Sequence, residues 1–209
     1  MDISNKKILN GMLILFVAPL VGIVATPLSA VLSQWVALAT TILSLVGTWM
    51  LYRGVISRKL CVAAVASIIT FVIEVLLQIV RIPSGAELLH LAVTIMTNLV
   101  SMIYLYFLFR GTADYMVEHG YPETAKDGKI AANLAIAVTI LGIVVELLGT
   151  DIWLERVWYL KMIVGASGSM IALVAIGMGI VLAIIRLTFF YQCRKKLLAG
   201  QPEAPSSEL

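Results

Sequence analysis

Long apolar segments separated by short polar connections are the dominant pattern of this chain. A helix needs roughly 20 apolar residues to cross the hydrocarbon layer of a membrane, and each segment is about that long. Backbone amides in hydrocarbon must be satisfied within their own segment, so these segments predict helices. The period-two alternation of a membrane barrel is absent. We predict six spans, at about residues 8–32, 35–52, 60–80, 86–109, 130–148 and 157–185.

These spans predict an all-α fold, a polytopic membrane protein whose six-transmembrane-helix bundle consists of three hairpins. The bundle occupies residues 1–199. Gly120 and Pro122 predict a break after a cytoplasmic extension of the fourth helix, and the sixth helix is expected to continue through Leu198. The tail of residues 200–209 is rich in proline and serine, and it is expected to be disordered.

Basic residues are distributed unevenly between the two sets of span ends. Twelve of the fifteen lysines and arginines lie at one set: Lys6, Lys7, Arg53, Arg58, Lys59, Arg110, Lys126, Lys129, Arg186, Arg194, Lys195 and Lys196. The opposite ends carry Arg81, Arg156 and Lys161. Because cytoplasmic ends of membrane helices are enriched in Lys and Arg, both termini are predicted to be cytoplasmic, in a plasma or inner membrane.

Composition supports the membrane class and excludes others. Apolar residues make up 61% of the chain and charged residues 13%, which excludes a water-soluble enzyme domain, a disordered chain and a disulfide-stapled secreted fold. The net charge of +3 is too small to indicate nucleic-acid binding. Cys61 and Cys193 both fall at predicted cytoplasmic ends, so we expect reduced thiols.

Two carboxylates interrupt the apolar segments. Glu74 lies roughly 22 Å along its helix from Lys59, and Glu146 roughly 25 Å from Lys129, at 1.5 Å per residue. Both are therefore predicted in the outer third of a hydrocarbon layer about 30 Å thick, where an unpaired charge is costly. The candidate ligand- or ion-binding residues are Glu74, Gln78, His90, Asn98, Glu146 and Lys161. His90 and Lys161 are expected at the depth of Glu74 and Glu146, and Asn98 lies about two turns deeper than His90.

Two interpretations of these polar residues remain open. Glu74 with His90, and Glu146 with Lys161, would each staple a hairpin, or all would line one pocket open to the outside. Arg186, at the end of the sixth span, is expected to snorkel to the headgroups and to need no buried partner.

No intact catalytic motif is present, so no enzymatic activity is expected. Ser167 in a Gly-Ala-Ser-Gly sequence has no later histidine to act as its base, and no cofactor or metal site is predicted. The leading hypothesis is a transport or solute-binding membrane subunit with an outward-facing polar pocket. The alternative is a non-catalytic scaffold acting through its cytoplasmic helix extensions. Expected partners are the lipid bilayer, a small solute or cation, and a membrane protein or second copy, but no nucleic acid.

Overall fold

The computed structural model of the protein describes residues 3–25, 30–79, 87–149 and 158–200. Side chains are described for residues 5–21, 35–77, 79, 88–147, 171 and 173–200. Apart from Gly200, the tail predicted to be disordered lies outside these ranges.

Six α-helices account for nearly all of the described residues. They are α1 (Ile3–Ala25), α2 (Ala30–Val55), α3 (Arg58–Ile79), α4 (Glu87–Glu118), α5 (Pro122–Gly149) and α6 (Trp158–Ala199). No strand occurs within the described ranges, so the all-α prediction is confirmed. Among the residues whose side chains are described, five stretches are long and apolar enough to cross a membrane: Trp35–Val55, Arg58–Leu77, Leu88–Glu118, Pro122–Leu147 and Leu173–Ala199.

The turn between α4 and α5 follows from its sequence. Gly120 has a φ of 83°, a left-handed conformation that glycine adopts without steric penalty. Its N–H donates to the Val117 carbonyl at 3.0 Å, and the Tyr121 N–H donates to the Met116 carbonyl at 2.9 Å. This is the Schellman pattern of a helix C-terminus, and Pro122 then begins α5. The predicted break is therefore confirmed.

The helices close into a ring, because each one packs against the next and α1 also packs against α6. Two glycines let α1 and α2 approach closely. A Cβ on Gly11 would lie 2.8 Å from the Gly47 carbonyl oxygen, and a Cβ on Gly47 would lie 2.9 Å from Cγ of Leu15. Small residues at such crossings let membrane helices pack backbone to backbone. Ring closure brings the first and last helices of the chain together.

The apolar core is concentrated at what we call the basic end of the ring, where α2 and α4 finish and α3 and α5 begin. Phe109 of α4 packs there against Phe189 and Phe190 of α6, with ring centroids 5.8 and 5.9 Å apart. Lys59 and Asp114 form a partly exposed ion pair between α3 and α4 at the same end. The buried side chains therefore fill the ring at its basic end.

Candidate functional site

A polar cavity of about 210 Å³ lies within the ring of helices. Its lining comes from α2, α3, α4 and α6, which are not all neighbours in the ring, so these side chains face one another across the ring, and the cavity is partly open to the surface. We call it the polar cavity, and its lining residues are Thr40, Thr41, Ser44, Ser67, Thr70, Glu74, Ser101, Tyr104, Leu105 and Arg186.

Helical spacing explains why these side chains converge. Residues three or four apart lie on one face of a helix, and Ser67, Thr70 and Glu74 follow that spacing along α3. The neighbouring Ile69 and Val72 are exposed at the outside of the ring, where apolar side chains suit lipid. Hydroxyl groups therefore face inward because the apolar residues between them occupy the outward face.

Most hydroxyl hydrogens in the cavity are already used within their own helices. Thr40, Thr41, Ser67 and Thr70 each donate to a backbone carbonyl three or four residues earlier, at 2.8 to 3.1 Å. Such back-bonding is common for Ser and Thr in helices. It leaves the lone pairs of the hydroxyl oxygens as acceptors, so this part of the cavity wall favours hydrogen-bond donors.

Glu74 and Arg186 bring opposite charges to the cavity. The half-buried Glu74 carboxyl group lies beside the Thr41 hydroxyl. Nη2 of Arg186 donates to Oγ of Ser44 at 3.4 Å, and its buried Nε has no hydrogen-bond partner among the described residues. No ion pair joins Glu74 to Arg186 in the described part of the chain, although both line one cavity.

The expectation that Arg186 needs no partner inside the bundle is wrong, because its side chain lines the polar cavity and donates to Ser44. Helix α6 continues past Arg186 to Ala199, as the sequence predicts. The basic cluster that begins at Arg194 lies roughly 12 Å further along the helix at 1.5 Å per residue. Arg186 therefore lies between apolar residues of α6 and turns inward to the cavity. The resumed apolar sequence after Arg186 is the signal that could have identified it.

A buried hydrogen bond closes the cavity toward the basic end. The Thr48 hydroxyl donates to the Ser44 carbonyl at 2.7 Å and lies 3.2 Å from the Tyr104 hydroxyl. Leu108 and Phe109 of the core follow one turn beyond Tyr104 and are fully buried. Polar access to the cavity must therefore come from the opposite end of the ring, or from between the helices.

Of the six residues predicted from sequence, Glu74 lines the polar cavity. Asn98 is partly exposed on α4 and is not among the lining residues. His90 is exposed near the start of α4, and no hydrogen bond or ion pair joins it to Glu74 among the described side chains. Glu146 is exposed near the end of α5, a helix that contributes no lining residue. The structure therefore does not bring Glu74 together with His90 or Glu146.

The side chains of Gln78 and Lys161 lie outside the described ones. The predicted pairing of Glu146 with Lys161 therefore stays a prediction. Sequence reasoning missed the hydroxyl residues and Arg186, because serine and threonine are ordinary in membrane helices and Arg186 lies at the predicted end of the sixth span.

No protein-family model, curated protein or solved structure matches the chain. Function must therefore be inferred from the chemistry of the cavities. Within the described residues, no group of three or more His, Cys, Asp or Glu side chains converges to hold a metal ion.

Two other cavities differ from the polar cavity in chemistry. A groove of about 390 Å³ between α3 and α4 is lined by apolar residues such as Leu76 and Met96, and such a surface suits a lipid chain. A cleft of about 500 Å³ at the basic end lies between α1, the α4–α5 turn and α6, and mixes Asn5, Tyr115 and His119 with leucines. Only the polar cavity, of these three, is lined by both a carboxylate and a guanidinium.

Proposed function

We propose that the protein binds a small polar solute in the polar cavity and serves as a carrier or solute-binding subunit for transport across a membrane. The observation that carries this proposal is that Glu74 and Arg186, both within stretches apolar enough to cross a membrane, line one cavity without pairing. A charge in hydrocarbon is costly, and charged residues inside membrane helices commonly mark solute or ion pathways. If these residues served only to hold helices together, a direct ion pair would satisfy both charges.

The same proposal includes six membrane spans with both termini in the cytoplasm, in a plasma or inner membrane. Helix α1 packs against α2 and α6, two helices that contain stretches able to cross, which supports α1 as the additional span. Assigning Arg186 to the cavity leaves eleven basic residues at the predicted cytoplasmic ends against three at the others. The charge bias that indicates the orientation is therefore preserved.

A scaffold is the second candidate function. Helices α4 and α6 have 32 and 42 residues, well above the roughly 20 that a membrane crossing needs. Their additional turns at the basic end would offer a surface to a cytoplasmic partner. A scaffold needs no water in the polar cavity, whereas a carrier or solute-binding subunit does.

Cysteine accessibility distinguishes these two functions. Ser101→Cys places a thiol in the cavity wall, and Ile103→Cys, two residues away on α4, places one on the outward face, where Ile103 is 40% exposed. A small membrane-impermeant methanethiosulfonate added to intact cells reacts with thiols in contact with water. The unsubstituted protein, with its native Cys61 and Cys193, gives the background rate.

We expect Ser101→Cys to react well above background and Ile103→Cys to remain at background, because lipid excludes the reagent and suppresses the thiolate. Solute binding in the cavity would be refuted if Ser101→Cys reacted no faster than Ile103→Cys. That result would leave the scaffold as the supported function.

A further inference from the structure

We infer that the solute is a small zwitterion, whose carboxylate binds Arg186 and whose ammonium group binds Glu74. This inference rests on the proposed function, because it names the chemical class of the solute in the same cavity. It follows from the charges, the hydrogen-bonding groups and the volume of the cavity.

The charges of the cavity require both ends of a zwitterion. Arg186 supplies a guanidinium group, which pairs with carboxylates through two parallel N–H donors, and its Nε has no partner among the described residues. Glu74 supplies a carboxylate that is not paired with Arg186. A simple anion would leave Glu74 unpaired and facing a like charge, and a simple cation would do the same to Arg186. A zwitterion satisfies both groups.

The hydroxyl groups are arranged to assist at the Glu74 side. An ammonium group has three N–H donors, whereas a single carboxylate oxygen accepts at most two hydrogen bonds. Thr70 lies one helical turn before Glu74, and Thr41 lies beside the Glu74 carboxyl group. The Thr70 hydroxyl donates to its own helix, so its oxygen remains available to the cavity as an acceptor. Ser44 lies beside Arg186, where its hydroxyl oxygen accepts a hydrogen bond from the guanidinium group.

The volume limits the size of the solute. The cavity volume of about 210 Å³ lies below the roughly 300–1,000 Å³ of sites for drug-sized ligands. Glycine, alanine and β-alanine suit a cavity of that size better than amino acids with large side chains. The expected solutes are therefore short amino acids or zwitterions of similar length.

Protection of the introduced thiol measures the binding of any solute that fills the cavity. Protein carrying Ser101→Cys is purified in lipid nanodiscs, and the labelling rate is followed with increasing concentrations of glycine, L-alanine or β-alanine. Propionate and ethylamine are the matched controls, because each keeps part of the alanine skeleton but lacks one of the two charged groups.

We expect at least one zwitterion to slow labelling with a half-protecting concentration about tenfold or more below those of propionate and ethylamine, since each charged contact contributes through a charge-assisted hydrogen bond. Arg186→Gln should weaken protection by the zwitterion and by propionate. Glu74→Gln should weaken protection by the zwitterion and by ethylamine but not by propionate.

The comparison of solutes on the Ser101→Cys protein needs no change at Arg186 or Glu74, so misfolding of either variant leaves the test intact. If propionate or ethylamine protected the thiol as well as the zwitterions do, the inference of a zwitterionic solute would be wrong, and the cavity would bind a solute with a single charge. An accessible cavity that none of the zwitterions protects would also overturn it. The proposed function itself fails only if Ser101→Cys is inaccessible to water.

Discussion

A methyl group introduced at Gly128 tests the packing of α5 against its neighbours, on which the ring of helices depends. The Cβ of Gly128→Ala would lie 2.6 Å from Cζ of Phe189 on α6 and 3.0 Å from Cβ of Ala113 on α4. Carbon atoms pack best at roughly 3.5 to 4.0 Å, so Phe189 or a helix backbone must shift by about 1 Å.

Phe189 has little freedom to make that shift. It is 1% exposed, and its ring lies 5.8 Å from that of Phe109 and 5.3 Å from that of Phe190, measured between centroids. Adding carbon to such a packed core typically costs about 1–3 kcal/mol. We therefore expect Gly128→Ala to lower the free energy of unfolding, even though alanine favours the helix.

Gly142 provides the matched control on the same helix. A Cβ at Gly142 has no atom within 4 Å, so Gly142→Ala gains helix propensity without a clash. Both variants gain up to about 1 kcal/mol from that propensity, so their difference isolates the clash. Gly128→Ala should be less stable than Gly142→Ala by about 1–3 kcal/mol.

Thermal or denaturant unfolding in detergent micelles, followed by tryptophan fluorescence, measures this difference. Phe189→Leu combined with Gly128→Ala should recover part of the loss, because the smaller side chain leaves room for the methyl group. Equal stability of Gly128→Ala and Gly142→Ala would refute the contact between α5 and Phe189. Additive effects of Gly128→Ala and Phe189→Leu would refute it as well.

Two further predictions concern sidedness and the closed end of the cavity. An impermeant maleimide added to intact cells should label His90→Cys and not Lys126→Cys, because the basic ends are predicted to be cytoplasmic. The reverse pattern would contradict the orientation. Labelling of both variants would contradict the even number of spans. Tyr104→Phe should lower the free energy of unfolding by about 0.6 kcal/mol, typical of one polar contact between membrane helices. Thr48→Val should show coupling to Tyr104→Phe of that size in a double-mutant cycle, and zero coupling would exclude their hydrogen bond from any stabilising role.

The parts of the fold that depend on local sequence could be predicted. Apolar length predicted helices without reference to packing, and the pair Gly120 and Pro122 predicted the turn between α4 and α5 because a left-handed residue followed by proline ends one helix and begins the next. Glu74 could be predicted as a site residue for a similar reason, since a carboxylate in an apolar segment is conspicuous by itself.

Pairing between helices could not be predicted in the same way. One of the two interpretations of the sequence pairs Glu74 with His90, on the assumption that adjacent helices of a hairpin bring residues of equal depth together. The structure instead leaves His90 exposed and brings Arg186 of α6 into the same cavity as Glu74. Ring closure, which depends on α1 packing against both α2 and α6, has no local signal in the sequence.

Arg186 shows how a span boundary changes a functional conclusion. Ending the sixth span at the first charged residue makes Arg186 a headgroup anchor, whereas the apolar residues that follow it continue α6 to Ala199. A guanidinium group within that helix must then find polar partners across the bundle, and it reaches Ser44, 142 positions away in sequence. Because the apolar residues of α2 and α3 occupy the outward face, the serines and threonines of these helices face the interior of the ring and provide those partners. The Arg186 side chain turns inward and donates to Ser44, but its Nε has no partner among the described residues. Its guanidinium group lines the same small cavity as the Glu74 carboxylate, and a zwitterionic solute would place an opposite charge beside each of them.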